Sequence, residues 1–187
     1  YNTEVKNLKH FGYGVKGFTL SMIETAIELS QGKVSADEIQ EIIELGKYMI
    51  SHPVHLLPNV RETIKTLKPD YQLMIITKGD LFDQERKLAQ SGLGDFFDAV
   101  EIVSNKTRKT YEDIFSRHGD GPSRAMMVGN SLKSDILPAL EAGSFGIFVP
   151  HRLTWALEHA EKPPAHPGFA EIRTLAELPD LVASIRE

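Results

Sequence analysis

The sequence has 187 residues, 41% of them hydrophobic and 25% charged, ordinary proportions for one globular domain or one domain with an inserted subdomain. A net charge of −5 with no Lys/Arg run argues against a nucleic-acid surface, no apolar run reaches membrane-spanning length, and the leading YNTEVKNLKHFGYG does not read as a signal peptide. The absence of cysteine excludes disulfides and thiolate chemistry and fits a cytoplasmic protein.

In chain order, Tyr1–Gly17 is polar and glycine-rich and reads as a flexible connection. Its GxGxxG (Gly12, Gly14, Gly17) lacks the preceding apolar strand that dinucleotide binding requires, because Glu4–His10 is not such a strand. Thr19–Leu29 is predicted helical, with Leu20, Ile23, Ala26 and Ile27 on one face and Thr19 as its cap. Ser35-Ala36-Asp37-Glu38 is a capping box opening a second helix, with Ile39, Ile42, Ile43, Gly46 and Ile50 on one side. The first fifty residues therefore predict a helical hairpin without a strand. His52 and His55 flank Pro53, which opposes a helix, and without a third ligand nearby the segment is a loop.

From Leu57 the pattern changes. A short helix with Val60, Ile64 and Leu67 on its core face ends at Lys68-Pro69-Asp70. Predicted strands follow at Tyr71–Ile76, Ala99–Val103, Ala125–Val128 and Phe145–Val149, alternating with helices at Leu81–Ser91, Thr107–His118 and Leu132–Ala142. Gly92 and Gly143 close the first and last of these helices. This cadence, with near-continuous apolar strands, predicts an α/β fold: a Rossmann-like parallel sheet with helices on both faces. Pro150–Pro167 is a long polar stretch in which His151 and Trp155 read as surface loop residues. Gly168–Ile172 is a possible last strand, and Thr174–Arg186 is a closing helix with Leu178, Leu181, Val182 and Ile185 inward.

Three predicted strand ends carry polar groups, and in a parallel sheet such ends lie on one edge. Thr77, with Lys78 and Gly79, offers a hydroxyl and exposed backbone N–H groups to an anionic oxygen, although a helix cap would use the same residues. Lys106, after the next strand, can neutralise a phosphate or a carboxylate pair, with Lys109 as its rival. Gly129-Asn130-Ser131 with Asp135 places an acid in the first turn of a helix, where it can cap or hold Mg²⁺ through oxygen. Together the three favour a phosphate-and-metal site.

A hydroxyl after one strand, a lysine after the next and G-[DN]-S-x-x-x-D after the third resembles the haloacid dehalogenase (HAD) superfamily. In that resemblance Tyr71–Gly79 is the second motif, with Thr77 as the phosphoryl-binding hydroxyl, and Gly129–Asp135 is the fourth. The phrases ITKGD and VSNKT favour Lys106 as the third-motif lysine, whereas the spacing from Lys109 to Phe115 fits the KPxxxxF version. The helical hairpin is similar to the superfamily's helical cap, giving a cap at 1–56 and a HAD-like core at 57–187. The resemblance also implies that residues around Phe11–Phe18 face the site.

Two departures stand out. Asn130 occupies a position where many members carry Asp, so Asp135 is the sole acidic ligand of the fourth motif. The D-x-D motif that carries the superfamily's nucleophile is absent, and no apolar strand precedes the cap helices. That strand is expected between Leu73–Ile76 and Ala125–Val128. Each buried ladder group left unpaired there costs about 1–3 kcal/mol, and a typical stability is only roughly 5–15 kcal/mol. The expectation is that the strand is supplied from elsewhere: either it lies upstream of Tyr1, or another chain or segment fills the gap. The resemblance thus implies a Mg²⁺-dependent phosphatase acting on a small phosphorylated metabolite through an aspartyl-phosphate. Thr77, Lys78, Gly79 and Asn130 would contact the substrate, Lys106 or Lys109 would screen charge, and Asp135 with Asn130 would hold the metal. A dehalogenase, and a non-catalytic HAD-like binding domain, are the alternatives; no nucleic-acid or membrane partner is expected, and the oligomeric state is not readable.

Overall fold

The computed structural model describes residues Tyr1–Arg186. They divide into two compact units, one of Tyr1–His55, Ile76–Gly94 and Ile102–Ser104, the other of Leu56–Ile75, Asp95–Glu101 and Asn105 onward.

The first unit opens with three helices, α1 (Asn2–Phe11), α2 (Val15–Leu29) and α3 (Ala36–Ser51). The predicted hairpin is therefore a three-helix array, and Tyr1–Gly17 is mostly helix rather than a flexible connection. The cause is a polar anchor that hydrophobic periodicity does not register. Asn7 of α1 is 5% exposed, and its amide donates to Ser21 Oγ (3.2 Å) and Glu24 Oε2 (2.5 Å) of α2. Thr19 is not a cap: α2 starts four residues earlier, and the Thr19 hydroxyl donates to the Val15 carbonyl at 2.8 Å. Gly12 (φ 68°) and Gly14 (φ 126°) form the corner between α1 and α2, in left-handed backbone that favours glycine. Helix α3 begins with the expected reciprocal cap between Ser35 and Glu38. It approaches α2 closely at Gly46, where a Cβ would lie 2.4 Å from Thr19 Oγ1.

Beyond α4 (Val60–Leu67), the strands are β1 (Met74–Lys78), β2 (Ala99–Val103), β3 (Met126–Gly129), β4 (Phe145–Phe148) and β5 (Phe169–Glu171). They are joined by α5 (Leu81–Ser91), α6 (Arg108–His118) and α7 (Leu137–Glu141), and α8 (Leu178–Arg186) closes the chain. The strands form two sheets, β1–β2 and β3–β4–β5, and β4 runs parallel to both its neighbours. The predicted neighbours of a central strand, at 73–76 and 125–128, thus fall in different sheets.

Within the second unit, alternation along β4 divides the core between two faces. Ile147, fully buried, joins Ile172, Leu178 and Val182 in a cluster with Met126, Val128 and Leu67. The other face carries Phe148 and Phe169 against Leu132, Ile136 and Leu140. Gly146 lets that helix close in, since a Cβ there would lie 3.0 Å from Ile136 Cγ2. Helices therefore cover both faces, and the fold is the expected α/β type. Of the predicted inward residues of α8, Leu178 and Val182 are buried, whereas Ile185 is 38% exposed. No helix among the described residues is long and apolar enough to cross a membrane.

Candidate active site at the strand ends

In the first unit, β1 extends further than its apolar run suggests. Thr77 and Lys78 are its last residues, not turn residues, because sheet pairing continues past the hydrophobic segment. Gly79 (φ 141°) makes the turn, and a Cβ there would meet the Gln84 side chain at 2.6 Å. Thr77 Oγ1 lies 3.3 Å from both the Lys78 carbonyl and Gln84 Oε1. Asp80 caps α5 by accepting from the Asp83 amide (3.1 Å) and also takes both 3.0 Å contacts from Lys16 Nζ. The Lys78 ammonium sits over the Tyr13 ring, 4.0 Å from its centroid. The segment between α1 and α2 thus lies against the turn that carries Thr77, Lys78 and Gly79.

In the second unit, Lys106 follows β2 and precedes the Thr107 cap of α6. Its backbone N–H is received by Asn105 Oδ1 at 3.0 Å, which fixes the turn. Its Nζ meets Asp135 Oδ1 at 2.7 Å, and the two side chains are only 9% and 8% exposed. Lys109 is not at this cluster. It is 79% exposed and pairs with Asp113 one turn along α6.

Asp135 is placed by an irregular turn after β3. Residues Leu132–Ile136 form a single π-helical turn before α7. Pro138 supplies the reason. It has no N–H to give the Ser134 carbonyl, so the regular ladder cannot run through this point. Tyr111, fully buried on α6, donates its hydroxyl to that carbonyl at 3.0 Å. Burial, together with the nearby Asp135 and Glu158 carboxylates, pushes the Tyr111 phenol well above its ordinary range, so it stays a donor. The π-turn lets Ser134, Asp135 and Ile136, consecutive residues, all be buried. Gly129 completes the fit: a Cβ there would lie 2.3 Å from Asp135 Oδ2.

The second Asp135 oxygen accepts from the Ser131 amide at 3.0 Å. Ser131 Oγ accepts from the Ser134 amide at 2.9 Å and donates to Glu158 Oε2 at 2.5 Å. Asn130 is exposed, and its side-chain amide donates to Thr154 Oγ1 at 3.0 Å. The structure therefore brings Lys106, Asp135 and the Asn130–Ser131 turn together. Tyr111, Thr154 and Glu158 are contributors that motif reading does not find. Pro138, six residues after the start of the predicted helix, is a sequence signal that could have indicated the irregular turn.

This edge can neutralise and orient an anion. Lys106 is a buried cation whose position is set by one carboxylate. The haloacid dehalogenase-like hydrolase family model matches residues 3–143.

The chain belongs to the haloacid dehalogenase-like hydrolases. A solved structure from this family, from Xanthomonas campestris, superposes with a TM-score of 0.88 at 42% identity, over 98% of this chain and 74% of that one. Among curated relatives, a glyceraldehyde 3-phosphate phosphatase of Methanothermobacter thermautotrophicus is 38% identical over 112 residues, 56% of this chain and 50% of its own length. A human N-acylneuraminate-9-phosphatase is 28% identical, over 64% of this chain and 51% of its own. The matched regions thus span about half the length of these curated haloacid dehalogenase-like relatives.

Proposed function

We propose that the protein is a Mg²⁺-dependent phosphatase acting on a small phosphorylated metabolite. The observation that carries this reading is the buried Lys106–Asp135 pair at the Gly129 turn, in a chain whose similar curated relatives are named as phosphatases of small phosphate esters. Phosphoryl transfer needs charge screening and alignment more than covalent help from the protein. Lys106 supplies the cation, and Asp135 keeps its ammonium in place. Thr77 Oγ1 and the backbone N–H groups of Lys78 and Gly79 hold phosphoryl oxygens.

Magnesium prefers hard oxygen donors, is commonly held by one or two carboxylates with substrate phosphate, and retains several waters. Among the described residues no group of three or more His, Cys, Asp or Glu side chains could hold a metal. Asn130 and Asp135 nevertheless fit as an oxygen-only pair. Each Asp135 oxygen accepts one hydrogen bond here and keeps a further lone pair. The ion would add positive charge beside the transferring phosphoryl group.

The test is p-nitrophenyl phosphate hydrolysis, with and without Mg²⁺, by the full-length protein. Turnover is expected, with a loss of roughly 10²–10³ on Lys106→Ala, the scale of removing one electrostatic stabiliser, and no loss on Lys109→Ala. Absence of turnover, or equal loss at both lysines, would overturn the reading. Metal-independent turnover of 2-haloacids would favour a dehalogenase instead.

A further inference from the structure

The segment after β4 folds back over the Asn130–Ser131 turn within the same unit. Thr154 is its hub. The Thr154 amide donates to the His151 carbonyl at 3.1 Å, and the Thr154 hydroxyl donates to the same carbonyl at 2.8 Å. The Thr154 carbonyl lies 3.2 Å from His159 Nε2. Residues 151–159 are therefore tied to one another before they meet Asn130.

A hydroxyl has a single proton. Because Thr154 gives its proton to His151 O, its oxygen can only accept from Asn130. Within the Asn130 amide only the nitrogen donates, so the Nδ2 atom must face Thr154 and the Oδ1 atom is left for another partner. One residue later, Ser131 Oγ is held between the Ser134 amide and Glu158. Two successive residues of the turn are thereby clasped from the same loop.

We propose that Thr154 is a positioning residue: by accepting from the Asn130 nitrogen it reserves the Asn130 carbonyl oxygen for a divalent cation, while Glu158 holds the adjacent Ser131. The inference rests on the reading of Asn130 as a metal-side oxygen donor. An aspartate would need no such support, since both its oxygens accept. The asparagine needs it, because its wrong face presents two N–H groups to a cation.

The test is Mn²⁺ binding, by calorimetry and by electron paramagnetic resonance, in the full-length protein, with thermal unfolding measured alongside. Thr154→Val keeps the shape and removes the hydroxyl. It should weaken Mn²⁺ binding by about tenfold, the lower end for outer partners of metal ligands, with the unfolding midpoint unmoved. Thr154→Ser should restore binding. In an Asn130→Asp background, Thr154→Val should have no effect on Mn²⁺. Three outcomes overturn the proposal: unchanged Mn²⁺ affinity in Thr154→Val where Asn130→Ala weakens it, a fall in affinity that tracks a fall in unfolding midpoint, or failure of Thr154→Ser to restore binding. If Asn130→Ala and Asp135→Asn both leave Mn²⁺ binding intact, the metal reading itself fails, and this inference with it.

Discussion

The Lys106–Asp135 pair is the sharpest object for a stability experiment. Both side chains are over nine-tenths buried, at 9% and 8% exposure, with 2.7 Å between Nζ and Oδ1. Removing one partner of such a pair strands the other charge, at about 3–5 kcal/mol. For a domain of this size 1 kcal/mol moves the unfolding midpoint by roughly 2–4 °C, so Lys106→Met alone should lower it by roughly 6–20 °C. Asp135→Asn should cost a comparable amount, since a buried ammonium then faces an uncharged amide. The double variant removes both charges and leaves an amide oxygen to receive the Ser131 N–H, so it should recover most of the loss. Urea unfolding followed by far-ultraviolet circular dichroism on all four proteins gives the coupling energy directly. Single losses below about 1 kcal/mol would refute the reasoning, because that is the behaviour of a solvent-screened surface pair. Strict additivity in the double variant would refute it equally.

Gly129→Ala should force Asp135 out of place, because the new Cβ would lie 2.3 Å from Oδ2; a loss of about 1–3 kcal/mol from overpacking is expected in urea unfolding. Tyr111→Phe should cost about 1–3 kcal/mol by leaving the buried Ser134 carbonyl short of a donor, and an unchanged urea midpoint would show that this contact contributes nothing. Glu101 accepts from His118 (2.6 Å) and Arg117 (2.8 Å), and the His118 hydrogen bond above all holds its carboxyl below the usual range. A lowered folded-state pKa means stability that is present above about pH 4.5 and is lost as pH falls through the folded value. The stability difference between wild type and Glu101→Gln should accordingly be full at pH 6 and shrink on acidification, as read from urea midpoints across that range.

Local chemistry made much of the fold readable. The Ser35 capping box and the left-handed Gly92 each sit where the residue type demands. Helix α1 was not readable, because a buried asparagine reaching Ser21 and Glu24 holds it rather than an apolar stripe. The end of β1 was displaced for a related reason: the strand runs on through polar Thr77 and Lys78. At the candidate site, the order of strand-end groups pointed to Thr77, Asn130 and Asp135 and left Lys106 and Lys109 as rivals, between which only the family resemblance chose Lys106. The contacts of Lys106 and Lys109, one buried against Asp135 and the other exposed beside Asp113, are three residues apart in sequence and differ only in three dimensions. Tyr111, Thr154 and Glu158 act through hydrogen bonds across 23, 24 and 27 residues, a separation at which no spacing rule operates.

The clasp formed by residues 151–159 also bears on how portable the motif is. The family model ends at residue 143, yet the side chains of Asn130 and Ser131 are held by Thr154 and Glu158, beyond that limit. A graft of residues 124–143 into another scaffold would carry the letters of the fourth motif and leave its grammar behind. Any transferable piece must therefore include the loop that returns to the turn, together with Lys106 and Tyr111, which hold Asp135 and the Ser134 carbonyl.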